Sequence, residues 1–430
     1  MHANSLLAAI LLLSAGLGQF ASKAQAQWQA PAYELWLSPD FEAKTVAAQA
    51  AISLRRGPQP APELRINAPA LEIHSASIDG IALSPEKHDD FWLIRLAPLL
   101  AIRQEMTLKL DYLARAGEGL VFGADHVYTA FHSCRWLPCV GSDLARASLR
   151  TTIDVPAGFT SLASGEPVNT AADAPQQWVE AAPYPLYTLG FALGRFTRSS
   201  QTAGDKLLHY WGLGEDAQTL QAKFKPTAAM LAFFTDKAGL ALPHSSYSQL
   251  LLPGAVAQEM SSYAAIGRNM LDPILVNEQE DWVIAHELAH QWWGTWISCE
   301  QWSEFWLNEG ITVFMTAAWK QQRWGEAAYQ RELDIAARGW QRAKDAGFDK
   351  PLSWTGEYPS LSLKRSIHYS KGALFMHALR QELGEENFWA GFKHYSQVNA
   401  GRQVRAGDLQ AALEASAGRS LQTLFDAWVY

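Results

Sequence analysis

Cysteine, charge and long apolar runs are all scarce in this sequence, and each shortage excludes a class. Three cysteines in 430 residues cannot brace a small disulfide framework, so the chain must rely on hydrophobic cores. Charged side chains make up only 18% of it, with a formal net charge of −8 and no long basic run. Phosphate binding needs a concentrated positive face, which excludes a nucleic-acid partner. Beyond the first residues, no stretch reaches the roughly eighteen uninterrupted apolar positions of a membrane span. The mature chain is therefore expected to have no stable span.

Apolar mass is present instead. Hydrophobic residues make up 48% of the chain, including 18 tryptophans and 13 tyrosines. That is enough for at least two cores, and so for two domains. Leu6 to Leu17 is an apolar run of signal-peptide length, and Ala24-Gln25-Ala26 offers small residues at the two positions a signal peptidase reads. Residues 1–26 are expected to be a signal peptide, cut before Gln27 and directing export to a periplasm or the exterior. The alternative is an N-terminal helix belonging to the fold. Cys134 and Cys139 are close enough along the chain to pair in an oxidising space, and the sequence is equally compatible with two buried thiols. Cys299 is left over as a packing residue.

After Gln27 the first half reads as β. Met106, Leu108, Leu110 and Tyr112 alternate with Thr107, Lys109 and Asp111, the pattern of a half-buried strand. Leu71 to Ile78 and Phe91 to Leu96 are further candidates, with breaks at Asp79-Gly80 and Gly117-Glu118-Gly119. A polar, loop-like stretch from Arg198 to Asp205 marks the boundary between domains expected at residues 27–200 and 201–430. Beyond it the patterns turn helical, at Lys225 to Gly239, Lys371 to Glu385, Glu386 to Asn399 and Leu409 to Trp428, with a strand candidate at Tyr247 to Leu252. Strands followed by helices imply an α+β chain of two segregated domains.

The chemistry concentrates in His286-Glu287-Leu288-Ala289-His290. On a helix, histidines four apart leave the same face, so both imidazoles can reach one Zn²⁺, with Glu287 beside them to hold a water. A catalytic zinc needs a third protein ligand, and Glu309 offers one. It lies just before Ile311 to Trp319, a second amphipathic helix that can pack on the first. Two helix-borne histidines can also be hydrogen-bonded core residues.

Val283 to Gly294, followed by Trp306-Leu307-Asn308-Glu309-Gly310, resembles the signature of the aminopeptidase N family of zinc peptidases. Arg135 to Cys139, Leu162 to Glu166 and Tyr187 to Phe196 are similar to that family's N-terminal β domain. The resemblance implies an antiparallel β-sandwich or saddle domain followed by a mostly helical, thermolysin-like catalytic domain. It implies one Zn²⁺ per chain on His286, His290 and Glu309, and Glu287 as the base that activates the zinc water. Tyr369, in Tyr369-Ser370-Lys371-Gly372, matches the family's oxyanion-binding tyrosine. Glu259, in Val256-Ala257-Gln258-Glu259-Met260, matches the glutamate that binds the substrate's free amino group.

Three departures accompany the match. The Gly, Met and Asn that flank this glutamate in the family are replaced, and Tyr128 to His132 lacks the family's amine-binding Gln or Glu. Phe425 to Tyr430 resembles the end of the catalytic domain, so the helical domain that usually roofs the site is expected to be missing and the cleft more open. The expected function is release of N-terminal amino acids from peptides with a free N-terminus. A zinc endopeptidase or dipeptide-releasing enzyme is the alternative, and an inert zinc-binding peptide-recognition module is the reading from another class.

Overall fold

The computed structural model describes residues 28–171 and 174–430; residues 1–26, expected to be a signal peptide, lie outside them. The chain divides into two compact units. One holds the described residues up to Thr197 together with Met260–Tyr263, and the other holds Arg198–Glu259 and Ala264–Tyr430.

The first unit is built on an eight-stranded sheet. Its strands are β1 (Trp28–Asp40), β2 (Thr45–Arg56), β3 (Glu72–Ile78), β4 (Ile81–Leu83), β5 (Glu105–Arg115), β6 (Arg146–Ile153), β7 (Glu166–Asn169) and β8 (Gln176–Pro185), in the order β7-β8-β6-β1-β2-β5-β3-β4. All neighbouring pairs in this sheet are antiparallel except β1 with β6. The alternation read around Leu108 and Leu110 runs the length of β5, with Met106, Leu108, Leu110, Tyr112 and Ala114 buried. Asp79 and Gly80 both take left-handed backbone angles (φ 50° and 82°), the geometry of a two-residue hairpin turn between β3 and β4. Two four-stranded sheets complete the unit.

Cys134 and Cys139, left open by the sequence, form a disulfide across Cα atoms 5.4 Å apart. Cys299 is buried and unbridged. Among the described residues no helix is long and apolar enough to cross a membrane.

The second unit opens with a five-stranded sheet of β9 (Thr197–Ala203), β10 (Lys206–Gly212), β11 (Ser246–Leu252), β12 (Ala257–Met260) and β13 (Tyr263–Gly267), ordered β9-β10-β11-β13-β12. The stretch read as a loop from Arg198 to Asp205 is therefore mostly strand. It is polar because β9 is an edge strand with most side chains exposed, and an edge needs no apolar alternation. The helices are α1 (Thr227–Ala238), α2 (Trp282–Ala289), α3 (Trp306–Trp324), α4 (Glu326–Asp345), α5 (Gly372–Val398) and α6 (Ala406–Ala417). Gly239 ends α1 in the left-handed region (φ 62°), and Gly384 (φ 73°) breaks α5 into the two segments the pattern suggested. Leu409 to Trp428 is not one helix. Gly418 (φ 66°) stops α6, and a separate short helix covers Gln422–Trp428.

Removing the disulfide tests how far it braces the first unit. Closing so short a loop is worth about 2 kcal/mol by loop entropy. Cys134→Ser should lower the urea midpoint accordingly at unchanged slope; an unmoved midpoint would show that the bridge constrains nothing.

Candidate active site

Helix α2 starts after Asp281, whose buried carboxylate accepts a hydrogen bond from Trp319 Nε1 of α3 at 2.8 Å. That bond ties together the two helices carrying the expected ligands. His286 lies within α2, and His290 follows its last residue, still in helical geometry (φ −58°, ψ −22°). The helix stops there instead of running on to Trp293, because the backbone turns at Gly294 (φ 135°). The turn brings the Trp293 carbonyl 3.0 Å from His290 Nδ1. A carbonyl only accepts, so Nδ1 carries a proton, and in the neutral ring that a metal would bind Nε2 is the nitrogen with the lone pair. A Cβ on Gly294 would sit 2.5 Å from His290 Nδ1, so any other residue would collide with the ring being oriented.

Glu309 projects from the first turn of α3 into the same space. The three donor atoms are mutually close: His286 Nε2 to His290 Nε2 is 3.2 Å, His286 Nε2 to Glu309 Oε2 is 3.3 Å, and His290 Nε2 to Glu309 Oε2 is 3.5 Å. A tetrahedron with bonds of about 2.0–2.1 Å has edges of about 3.3–3.4 Å. These distances therefore fit three ligands of one zinc, leaving one corner open.

The electrostatics favour a cation as well. Glu259, Glu287 and Glu309 are all buried beside the two imidazoles. Burial, reinforced by the charges of Glu259 and Glu309, raises the Glu287 carboxyl well above its usual range. Burial alone would depress His290, but the carboxylates of Glu259 and Glu309 outweigh it and push the imidazole up to about 10. Glu309 shows the converse: burial opposes its ionisation, yet His290 and His286 hold it well below the carboxylate range. A site that draws this hard for positive charge suits a divalent metal.

Tyr369 lies in a wide π-type turn, Ser366–Lys371, that leads into α5. Its ring stacks on His286, with centroids 6.2 Å apart and planes 15° apart. Burial first, and then the Glu309 charge, raise its phenol well above the ordinary value, so it remains a donor throughout the working pH range. Glu259 stands near the end of β12. Its carboxylate lies within 4.8 Å of the nearest oxygen of Glu287 and ring nitrogen of His290. Gln258 Nε2 donates to Glu259 Oε2 at 2.8 Å. All six expected site residues thus sit in the second unit.

Other residues that shape the site were not singled out from the sequence. Asn308 Oδ1 accepts from the Cys299 backbone N–H at 2.9 Å, which locks the turn before Glu309. Gly310 and Gly372 face each other: a Cβ on Gly310 would lie 2.7 Å from Gly372 Cα, and one on Gly372 would lie 2.9 Å from Gly310 Cα. The helix carrying Glu309 and the turn carrying Tyr369 meet backbone to backbone, which only glycines allow. Each of these glycines directly follows or closes a motif already noted, and that position was the available signal.

Residues 223–428 match the model of the Peptidase family M1 domain. This chain carries an M1 peptidase domain. All six site residues fall inside it. The whole chain is also similar to Aminopeptidase M1-B of Oryza sativa subsp. japonica, 25% identical over 439 residues that cover 92% of this chain and 49% of that protein. Aminopeptidase N of Streptomyces lividans is 23% identical over 387 residues, 83% of this chain and 45% of its own. The chain spans about half the length of these curated relatives. Among solved structures, an M1 zinc metallopeptidase from Deinococcus radiodurans superposes with a TM-score of 0.76 at 21% identity, over 94% of each chain. A variant of the Deinococcus enzyme bound to a Tyr-Ser-Ala substrate matches equally well, at TM-score 0.76 and 21% identity over 95% of this chain and 96% of that one. The α+β architecture expected from the sequence is thus the fold of the M1 metallopeptidases.

Within the M1 domain, the contact between the glycines is a direct test of how the ligands are held. Gly310→Ala should destabilise the protein by about 1–3 kcal/mol through overpacking and weaken zinc retention in equilibrium dialysis. Wild-type stability with full zinc occupancy would show that the approach is looser than described.

Proposed function

We propose that this chain is a zinc aminopeptidase that releases single residues from the free N-terminus of peptides. The observation that carries the reading is the nearness of Glu259 to Glu287 and His290. An α-ammonium and the carbonyl carbon of its own residue are two bonds apart, about 2.5 Å. If Glu259 binds the ammonium, only the first peptide bond can reach the hydrolytic groups. The aminopeptidase relatives and the tripeptide-bound Deinococcus structure support the same substrate class.

His286, His290 and Glu309 would hold the zinc, which when bound supplies Lewis acidity and an acidified water. Glu287 takes the proton of the attacking water and then delivers it to the leaving amine, acting as base and afterwards as acid. Its low-dielectric surroundings suit both roles, since raising the carboxyl toward the working pH makes its carboxylate a stronger base for the water's proton and keeps the proton on the carboxyl until the leaving amine takes it. Tyr369 donates its phenolic hydrogen to the oxyanion that develops on the scissile carbonyl. Glu259 forms a charge-assisted hydrogen bond with the substrate ammonium, and Gln258 keeps its carboxylate oriented.

Export is part of the same proposal. The apolar run from Leu6 to Leu17 supports it, as does the Cys134–Cys139 bridge, since disulfides persist in oxidising compartments. A secreted or periplasmic product beginning at Gln27, read by intact-mass measurement, is the expected outcome.

The deciding experiment compares an aminoacyl chromogenic substrate with its N-acetylated form. The free amine should be hydrolysed and the acetylated form left intact; equal rates would point to the endopeptidase reading. Glu259→Ala should raise KM for the free-amine substrate at least tenfold while leaving zinc content unchanged, and an unaltered KM would remove Glu259 from the amine pocket. Glu287→Gln should keep zinc and lose about 10²–10⁴ in kcat. Undiminished turnover would give the base to another residue, and a wild-type protein with no turnover would favour the inert recognition module.

A further inference from the structure

The turn that carries Tyr369 is uncommon, because π-type geometry leaves the backbone poorly packed and persists only where its surroundings support it. Here the support comes from the three residues that directly follow the tyrosine. Ser370 fills the space left by Gly339 of α4, where a Cβ would lie 2.0 Å from Ser370 Oγ. Gly372 meets Gly310 of α3, as described above.

Between them, Lys371 reaches away to the segment after α4. Its Nζ donates to Asp349 Oδ1 at 2.8 Å and to the Lys350 carbonyl at 2.7 Å. The side chain is only 7% exposed. Trp340 Nε1 donates to the same Asp349 oxygen at 2.8 Å, and the Lys371 ammonium lies 5.4 Å from the Trp340 ring centroid. Burying an ammonium is costly unless it is paired and its hydrogens are satisfied. A methionine of similar length would be cheaper to bury, so stability alone does not account for the lysine. What the lysine adds is direction: two short bonds to fixed acceptors set the rotation of the turn at the residue two positions after Tyr369.

We propose that the Lys371–Asp349 ion pair is a positioning device for Tyr369, holding its phenol where the oxyanion develops. The claim rests on the oxyanion role given to Tyr369 above. Lys371 touches neither substrate nor metal and acts through the backbone of the turn. A donor displaced by a fraction of an ångström loses most of its stabilisation of the transition state, while ground-state binding is little affected. Loosening the latch should therefore lower kcat without raising KM.

The test is a double-mutant cycle on the zinc-loaded protein. Tyr369→Phe should lower kcat by about 10²–10³, as expected for loss of one oxyanion donor. Lys371→Met should lower kcat by about tenfold or more, with KM and zinc content unchanged. In the Tyr369→Phe background, Lys371→Met should change kcat less than about twofold, because the group it positions is already gone. Should Lys371→Met fold poorly, Asp349→Asn keeps the bond to the Lys350 carbonyl and should show the same split with a smaller loss. Wild-type kcat in both latch variants, or losses that multiply in the double variant, would overturn the latch while leaving Tyr369 in its role. Full kcat in Tyr369→Phe would instead remove the oxyanion role and the latch's purpose with it.

Discussion

Five ionisable side chains, Glu259, His286, Glu287, His290 and Glu309, share one buried space in the second unit. Each would cost several kcal/mol to strip of water as an isolated charge. Three carboxylates outnumber two imidazoles: His290 and Glu309 stabilise each other's charged forms, while burial and the neighbouring carboxylates push the Glu287 carboxyl up. A divalent cation on His286, His290 and Glu309 would offset this excess negative charge. The surrounding structure has to keep these groups together while none of them can retreat to solvent.

Rigid apolar packing does that holding. Trp292 and Trp293, at the end of the histidine-bearing segment, and Trp306, at the start of the helix that carries Glu309, are all fully buried. Each indole also has a fixed hydrogen bond, to the Leu240 carbonyl at 2.9 Å, Ser396 Oγ at 3.0 Å and Glu304 Oε2 at 3.1 Å respectively. A large flat side chain with one polar anchor has little freedom to repack. The tryptophans beside the ligands therefore act as spacers that define the distance between α2 and α3, and Asp281 adds a polar tie at the far end.

How legible this was in the sequence depended on which physical signal carried each element. Strand alternation in β5 and the histidine spacing in α2 are periodic, so both were readable from the residues alone. The candidate ligand set was picked out because imidazoles and a carboxylate are the chemistry a catalytic zinc requires, and the fold brings those three side chains together. The edge strand β9 was misread because its exposed residues alternate in nothing but position. The end of α2 at His290 has no signal in the sequence, because it depends on a carbonyl turning toward His290, and no side-chain pattern records a backbone contact. Gly310 and Gly372 were quoted within motifs yet left without a purpose. A close approach between segments 62 residues apart has no local signature, and only the fold shows that each glycine makes room for the other.

The same distinction bears on where a peptide would be cut. Hydrolysis needs the metal ligands, a base and an oxyanion donor, all of which lie on helices or turns fixed by deep packing. Choice of bond needs one more element, the distance from the base to whatever holds the substrate's end. That distance is set by β12, a four-residue strand whose Gln258 fastens to Glu259 through a side-chain bond instead of through the flanking residues usual in aminopeptidase N relatives. A carboxylate held by a neighbouring amide can be oriented as firmly as one framed by backbone, provided the amide itself is buried, and Gln258 is 1% exposed. With the family's flanking residues replaced, the buried Gln258 amide is what orients the Glu259 carboxylate, the group proposed above to anchor the substrate amine.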